Sequence, residues 1–159
     1  MHRAIIVLAS IALAACGQPS SPTTEPAPVA AAPVAARTPE QIATLLAALP
    51  APYDGADYDN GKRTFAQCRS CHTVEADGSN KVGPHLHGMF GRTAGTVADF
   101  RNYSAALKSS GIVWDEAKLD AWVTNPRDLV PNNSMVFPGI RKDEDRRDLI
   151  AYLKVETAD

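Results

Sequence analysis

Cysteine is scarce in this chain: Cys16, Cys68 and Cys71 are the only three in 159 residues. A zinc site needs about four nitrogen or sulfur ligands, and only two of these cysteines lie close together, so a structural zinc cluster is excluded. No disulfide is expected either. Long apolar runs are also missing. Ala4 to Ala15 is the main one, and it is too short to span a bilayer. Basic residues are not in excess, with 16 Lys and Arg against 18 Asp and Glu and a net charge of −2. No broad positive field therefore favours nucleic acid. Runs of alternating apolar residues are absent, which argues against a substantial sheet.

What is present at the N-terminus is an export pattern. Met1-His2-Arg3 gives a positive start, Ala4 to Ala15 follows, and Leu13-Ala14-Ala15-Cys16 closes it with small residues before a thiol. Residues 1–15 read as a signal peptide. The Leu-Ala-Ala-Cys ending resembles the lipobox of bacterial lipoproteins, which implies cleavage before Cys16 and a diacylglycerol on its sulfur. An ordinary signal peptide cut elsewhere is the other reading.

Residues 16–37 form a Pro/Ala-rich linker that carries Pro19, Pro22, Pro26, Pro28 and Pro33. Such a composition buries no core and stays extended. Residues 38–52 predict a short amphipathic helix. Thr38 is its N-cap, Pro39 sits in its first turn, and Gln41 completes a capping box. Ile42, Leu45, Leu46 and Leu49 fall at helical spacing, and Pro50 and Pro52 stop it. The apolar stripe is expected to rest on the domain that follows, with lipid or a partner protein as the alternative.

The decisive motif is Cys68-Arg69-Ser70-Cys71-His72. A C-x-x-C-H run is the attachment site of a c-type haem, in which two thiols bond the porphyrin and the histidine follows to bind iron. A redox dithiol of the thioredoxin kind needs a preceding strand and a βαβ context, and none is apparent. Around the motif, Tyr58 to Arg69 predicts a helix. A second opens at Trp114 or Asp115 with Leu119, Trp122 and Val123 on one face. A last one opens at Asp143 or Glu144 and bears Leu149, Ile150, Tyr152 and Leu153. A domain with so few helices has a small core, and the haem supplies the missing apolar mass.

Further segments keep a recognisable order: Gly61 to Phe65, then Val82-Gly83-Pro84-His85-Leu86-His87-Gly88, Phe90 to Gly95, Tyr103-Ser104, Gly111 to Trp114, Asn125-Pro126, Pro131 to Phe137, and Arg147 to Lys154. From about Tyr53 to its end, the chain resembles the class I (mitochondrial-type) cytochromes c. The resemblance implies an all-α haem domain over residues 53–159, with three main helices plus short helices and loops around one covalently bound haem c. It implies iron ligation by His72 and Met135. A thioether opposite imidazole favours ferrous iron and raises the reduction potential, and an iron closed on both sides suits electron transfer rather than catalysis.

By the same resemblance, Pro84 O accepts the second ring N–H of His72. Arg92, Tyr103 and Trp114 hydrogen-bond the inner propionates, and Asn133 contacts a propionate and the methionine side. Gly61 and Phe65 cross the last helix near Leu149 and Tyr152. Met89 is expected to face solvent or the haem edge, and His85 and His87 the surface. Trp122 and Leu107 depart from the family's usual tyrosine and asparagine and make the distal side less polar.

Arg63, Lys81, Arg127, Arg141 and Lys142 match positions around the exposed haem edge. They imply docking to acidic partners: a cytochrome bc-type donor complex and a terminal oxidase or another respiratory or photosynthetic acceptor. A mixed solvated surface is the plainer reading, given Asp143, Glu144 and Asp145 beside Lys142. The expected protein is thus a monomeric electron carrier, lipid-anchored through Cys16 on the periplasmic side of a bacterial membrane. A dedicated electron-accepting subunit of a dehydrogenase and a haem peroxidase or gas-binding cytochrome are the competing functions.

Overall fold

The computed structural model describes residues 36–158. The expected signal peptide, Cys16 and nearly all of the linker lie outside the described residues. Among the described residues six α-helices occur in order: α1 (Pro39–Ala47), α2 (Tyr58–Phe65), α3 (Ala105–Lys108), α4 (Glu116–Thr124), α5 (Pro126–Leu129) and α6 (Asp143–Glu156), with a 3-10 turn at Tyr53–Gly55. No named strand is present among the described residues, and one isolated bridge joins Thr93 to Val113. The all-α expectation holds, with α2, α4 and α6 as the main helices of the haem domain. No described helix is long and apolar enough to cross a membrane.

The helix starts are set by side-chain caps. Thr38 and Gln41 form the reciprocal capping box that the sequence predicts. Asp57, Ser104, Asp115 and Asn125 each accept a backbone N–H at the next helix start, satisfying donors that the first turn leaves orphaned. Helix α1 stops at Ala47, ahead of Pro50. Ile42, Leu45 and Leu46 of the helix and Leu49 just beyond it are half-buried, and α1 packs on the 3-10 turn and α6. The Arg37 guanidinium lies 3.8 Å from Glu156 Oε1, which also accepts from Tyr58 Oη at 2.6 Å.

The main crossing is α2 on α6. A Cβ at Gly61 would sit 2.7 Å from Tyr152 Cβ, so glycine sets how closely the helices approach. Phe65 and Tyr58 flank the Tyr152 ring, at 5.5 and 5.3 Å between centroids. Beside them, Asp148 is 1% exposed. Its carboxylate accepts from Asp57 N–H (3.1 Å), Asn60 Nδ2 (2.9 Å) and Arg147 Nη2 (2.7 Å). A buried charge is tolerable only with such partners. On the far side of α6, Lys154 pairs with Glu116 of α4 and lies 4.7 Å over the Phe90 ring.

Helix α2 is shorter than the sequence suggests, ending at Phe65 rather than Arg69. Beyond it the chain tightens into i→i+3 bonds, such as Cys68 N–H to Phe65 O at 2.8 Å. Such a tightened last turn is a frequent way for a helix to finish.

Candidate functional site

The Cys68–His72 motif is a single turn. Both Cys71 N–H and His72 N–H donate to Cys68 O, each at 3.0 Å. The segment 81–86 is zipped against it by Gly83 N–H to Cys71 O (2.9 Å) and Leu86 N–H to Thr73 O (2.8 Å). This brings Pro84 O to 2.7 Å from His72 Nδ1. It also lays the Gly83 backbone on the imidazole: a Cβ there would be 2.8 Å from both ring nitrogens. Burial pushes the His72 pKa down, against the raising effect of its Pro84 bond. Burial, then the neighbouring Cys71, pushes the Cys68 thiol up to about 11. Reactive thiols show the opposite shift.

On the other side, Met135 is presented by a turn that Asn133 holds. Asn133 Nδ2 donates to Val130 O at 2.8 Å, and its Oδ1 accepts Met135 N–H at 2.9 Å. Asn132 before it adopts φ +63°, a conformation that asparagine tolerates better than most residues.

Between these walls lies a cavity of about 260 Å³ lined mainly by apolar groups. Every residue expected at the site lines it: Cys68, Cys71, His72, Pro84, Arg92, Tyr103, Trp114, Asn133 and Met135. Arg92 and Trp114 are held side by side by a short backbone pairing, Trp114 N–H to Arg92 O at 3.0 Å and Gly91 N–H to Trp114 O at 2.8 Å. The Arg92 guanidinium donates to His87 O (2.9 Å) and His85 O (3.2 Å). It carries five N–H donors, so these two bonds leave donors for a carboxylate. Tyr103 packs edge-on against Phe100 at 4.7 Å, and burial pushes its pKa up.

Trp122 and Leu107 also line the cavity, and Trp122 stands edge-on to Trp114 at 5.5 Å. The structure sharpens two expectations. Of the two places expected for Met89, solvent or the haem edge, it takes the inner one: it is buried in the core and lines the cavity, with Leu119, Leu149 and Leu153. Its position two residues before the close of a Gly-bounded loop hid that burial. His85 and His87, expected at the surface, are half-buried, and the Arg92 guanidinium bonds both their carbonyls. His85 Nδ1 is enclosed without a hydrogen-bond partner. Burial, then Arg92, pushes the His85 pKa down.

Paired thiols, an imidazole with one nitrogen committed, a thioether and an apolar cleft form a donor set that fits a covalently held haem. A family model described as cytochrome c matches residues 58–155. The chain belongs to the cytochrome c family. Similar relatives include cytochrome c of Nigella damascena, 45% identical over 100 residues, covering 62% of this chain and 89% of the relative. Cytochrome c2 of Rhodoplanes tepidamans is 47% identical over 97 residues, covering 61% of this chain and 90% of its own. Among solved structures, cytochrome cH from Methylobacterium extorquens matches with a TM-score of 0.58 and 45% identity, over 62% of this chain and 98% of that one. As a class I cytochrome c, this is an electron-transfer protein and not an enzyme, and its cofactor is one covalently attached haem c. Residues 36–57, including α1, precede the family match.

Proposed function

We propose that this cytochrome c is a membrane-tethered single-electron shuttle whose iron is bound by His72 and Met135. In this reading Cys16 carries the lipid, residues 1–15 are removed, and the haem domain works on the periplasmic side of a bacterial membrane. The observation that carries the ligation is the shared cavity: His72 and Met135 line the same apolar space as Cys68 and Cys71. When bound, the haem supplies a one-electron ferric/ferrous couple. The protein's part is to fix the imidazole through Pro84 O, to set the thioether through Asn133, and to keep water away with Met89, Trp122 and their neighbours. Arg92, Tyr103 and Trp114 meet the propionates.

Val82 and Val136 line the cavity yet are 76% and 92% exposed, so the cavity reaches the surface there. Arg63, Lys81, Arg127, Arg141 and Lys142 are all exposed. They supply positive charge for steering toward an acidic partner: a cytochrome bc-type complex as donor, and a terminal oxidase or another respiratory or photosynthetic acceptor. Part of this charge is internally engaged, since Arg63 lies 3.9 Å from Asp57 and Lys81 Nζ donates to Arg69 O.

The test is the optical spectrum of the holoprotein with and without carbon monoxide. A low-spin ferric spectrum with the weak red sulfur-to-iron band, and no carbon monoxide response on reduction, is the expected result. A high-spin spectrum or rapid carbon monoxide binding would overturn the His72/Met135 reading and favour a ligand-binding haem.

A further inference from the structure

The segment carrying Met135 is a loop closed at both ends on one helix terminus. It leaves α4 at Asn125 and returns at Ile140, whose N–H donates to Val123 O at 2.8 Å. Gly139 makes the return at φ +88°, so close that a Cβ would lie 3.0 Å from the Thr124 carbonyl carbon. Only glycine accepts both the conformation and the approach.

The exit of this loop is gripped by one side chain. Arg146 Nη1 donates to Ile140 O (3.0 Å) and to Arg141 O (3.1 Å). Its Nε donates to Asp120 of α4 (2.8 Å), and its Nη2 to Asp143 in the first turn of α6 (2.7 Å). A guanidinium 8% exposed is costly unless its donors are met, and here four oxygens from three segments meet them. The carboxylates are not what needs it. Asp120 and Asp143 side chains are 42% and 92% exposed, and water solvates them if the arginine is removed. Ile140 is buried, so its carbonyl is left unsatisfied instead, which is the larger penalty. Loss of Arg146 therefore falls on the loop exit.

We infer that Arg146 is a positioning residue for the electron-transfer centre: through the Ile140 and Arg141 carbonyls it latches the methionine loop, and so governs how often Met135 leaves the iron. The inference rests on Met135 being an iron ligand.

The test uses the holoprotein with Arg146→Ala, Arg146→Lys and Met135→Ala. Two readouts are followed: carbon monoxide binding to the ferrous form without denaturant, and loss in urea of the ferric sulfur–iron band against loss of helix circular dichroism. Arg146→Ala should bind carbon monoxide at least about ten-fold faster than the native chain, the scale set by a lost charge-assisted hydrogen bond. Its band should vanish at lower urea than its helices, and Arg146→Lys should fall between the two. An unchanged carbon monoxide rate, with band and helices moving together, would make Arg146 a plain stabiliser and overturn the latch. If Arg146→Ala yields no folded holoprotein, Arg146→Lys decides by the same rate, since an ammonium cannot reproduce the fork that holds both carbonyls: faster supports the latch and unchanged refutes it. Met135→Ala separates the two readings. If it keeps the band, Met135 is not the ligand and both fail; if the band is lost there but Arg146→Ala behaves natively, only the latch fails.

Discussion

His72 Nδ1 lies 2.7 Å from the carbonyl oxygen of Pro84. A carbonyl can only accept, so Nδ1 must carry the proton, and Nε2 is left with the lone pair that can bind a metal. The same bond makes the imidazole a better donor to a metal and fixes its rotation. Gly83, flat against the ring, removes the remaining freedom.

Gly83 therefore tolerates no side chain. Gly83→Ala should force the imidazole away from its Pro84 bond and destabilise the ferric holoprotein by about 1–3 kcal/mol, the usual cost of overpacking. A urea midpoint equal to that of the native chain would show that the ring relaxes freely.

Met135→Ala should abolish the sulfur–iron band, admit carbon monoxide, and lower the reduction potential on the order of a few tenths of a volt, within the ~0.8 V range that axial ligation spans. Potentiometry against native protein is the measurement, and an unchanged potential would assign the ligand elsewhere.

His85 makes stability depend on pH in a definite direction. Its folded pKa is below the ordinary 6.5 because burial and Arg92 disfavour the charged ring. Between the two values the unfolded chain holds more protons, so stability rises with pH there. It is fully present above about pH 6.5 and declines as pH falls toward the folded pKa. The urea midpoint of the holoprotein should drop from pH 7 to pH 5, and His85→Asn should flatten part of that drop. An identical slope in the variant would remove His85 from the account.

Cys16→Ser should move the protein from the membrane to the soluble fraction on cell fractionation. Retention at the membrane would point to an uncleaved signal rather than a lipid.

The residues that carry the chemistry were legible because their constraints are local. A C-x-x-C-H turn, a Gly-Pro pair twelve residues on and an isolated methionine after Asn-Pro each announce themselves within a few positions. The helix starts were legible for the same reason, since Thr38-Gln41 and Asp115 act on their own turns. Asp148 and Arg146 were not. Each is a charged residue in a strongly polar stretch of α6, where an exposed face is the ordinary expectation. Their burial depends on partners 26 to 91 residues away. The depth of Met89 and His85 was left open because a loop of glycine, proline and histidine carries no periodicity from which an inner face can be read.

One feature at the start of the described chain bears on mechanics. Arg37 meets Glu156, and α1, with no buried residue, lies along α6. Any pull arriving from the N-terminal side enters the folded part there. Helix α1 should yield before α2, because it has no buried residue whereas α2 buries Gly61 and Phe65. Unravelled from Thr38 to Asp57, the chain lengthens to about 3.4 Å per residue and releases tens of ångströms of slack. Slack taken up by α1 would come ahead of α2, the segment that leads directly into Cys68, Cys71 and His72.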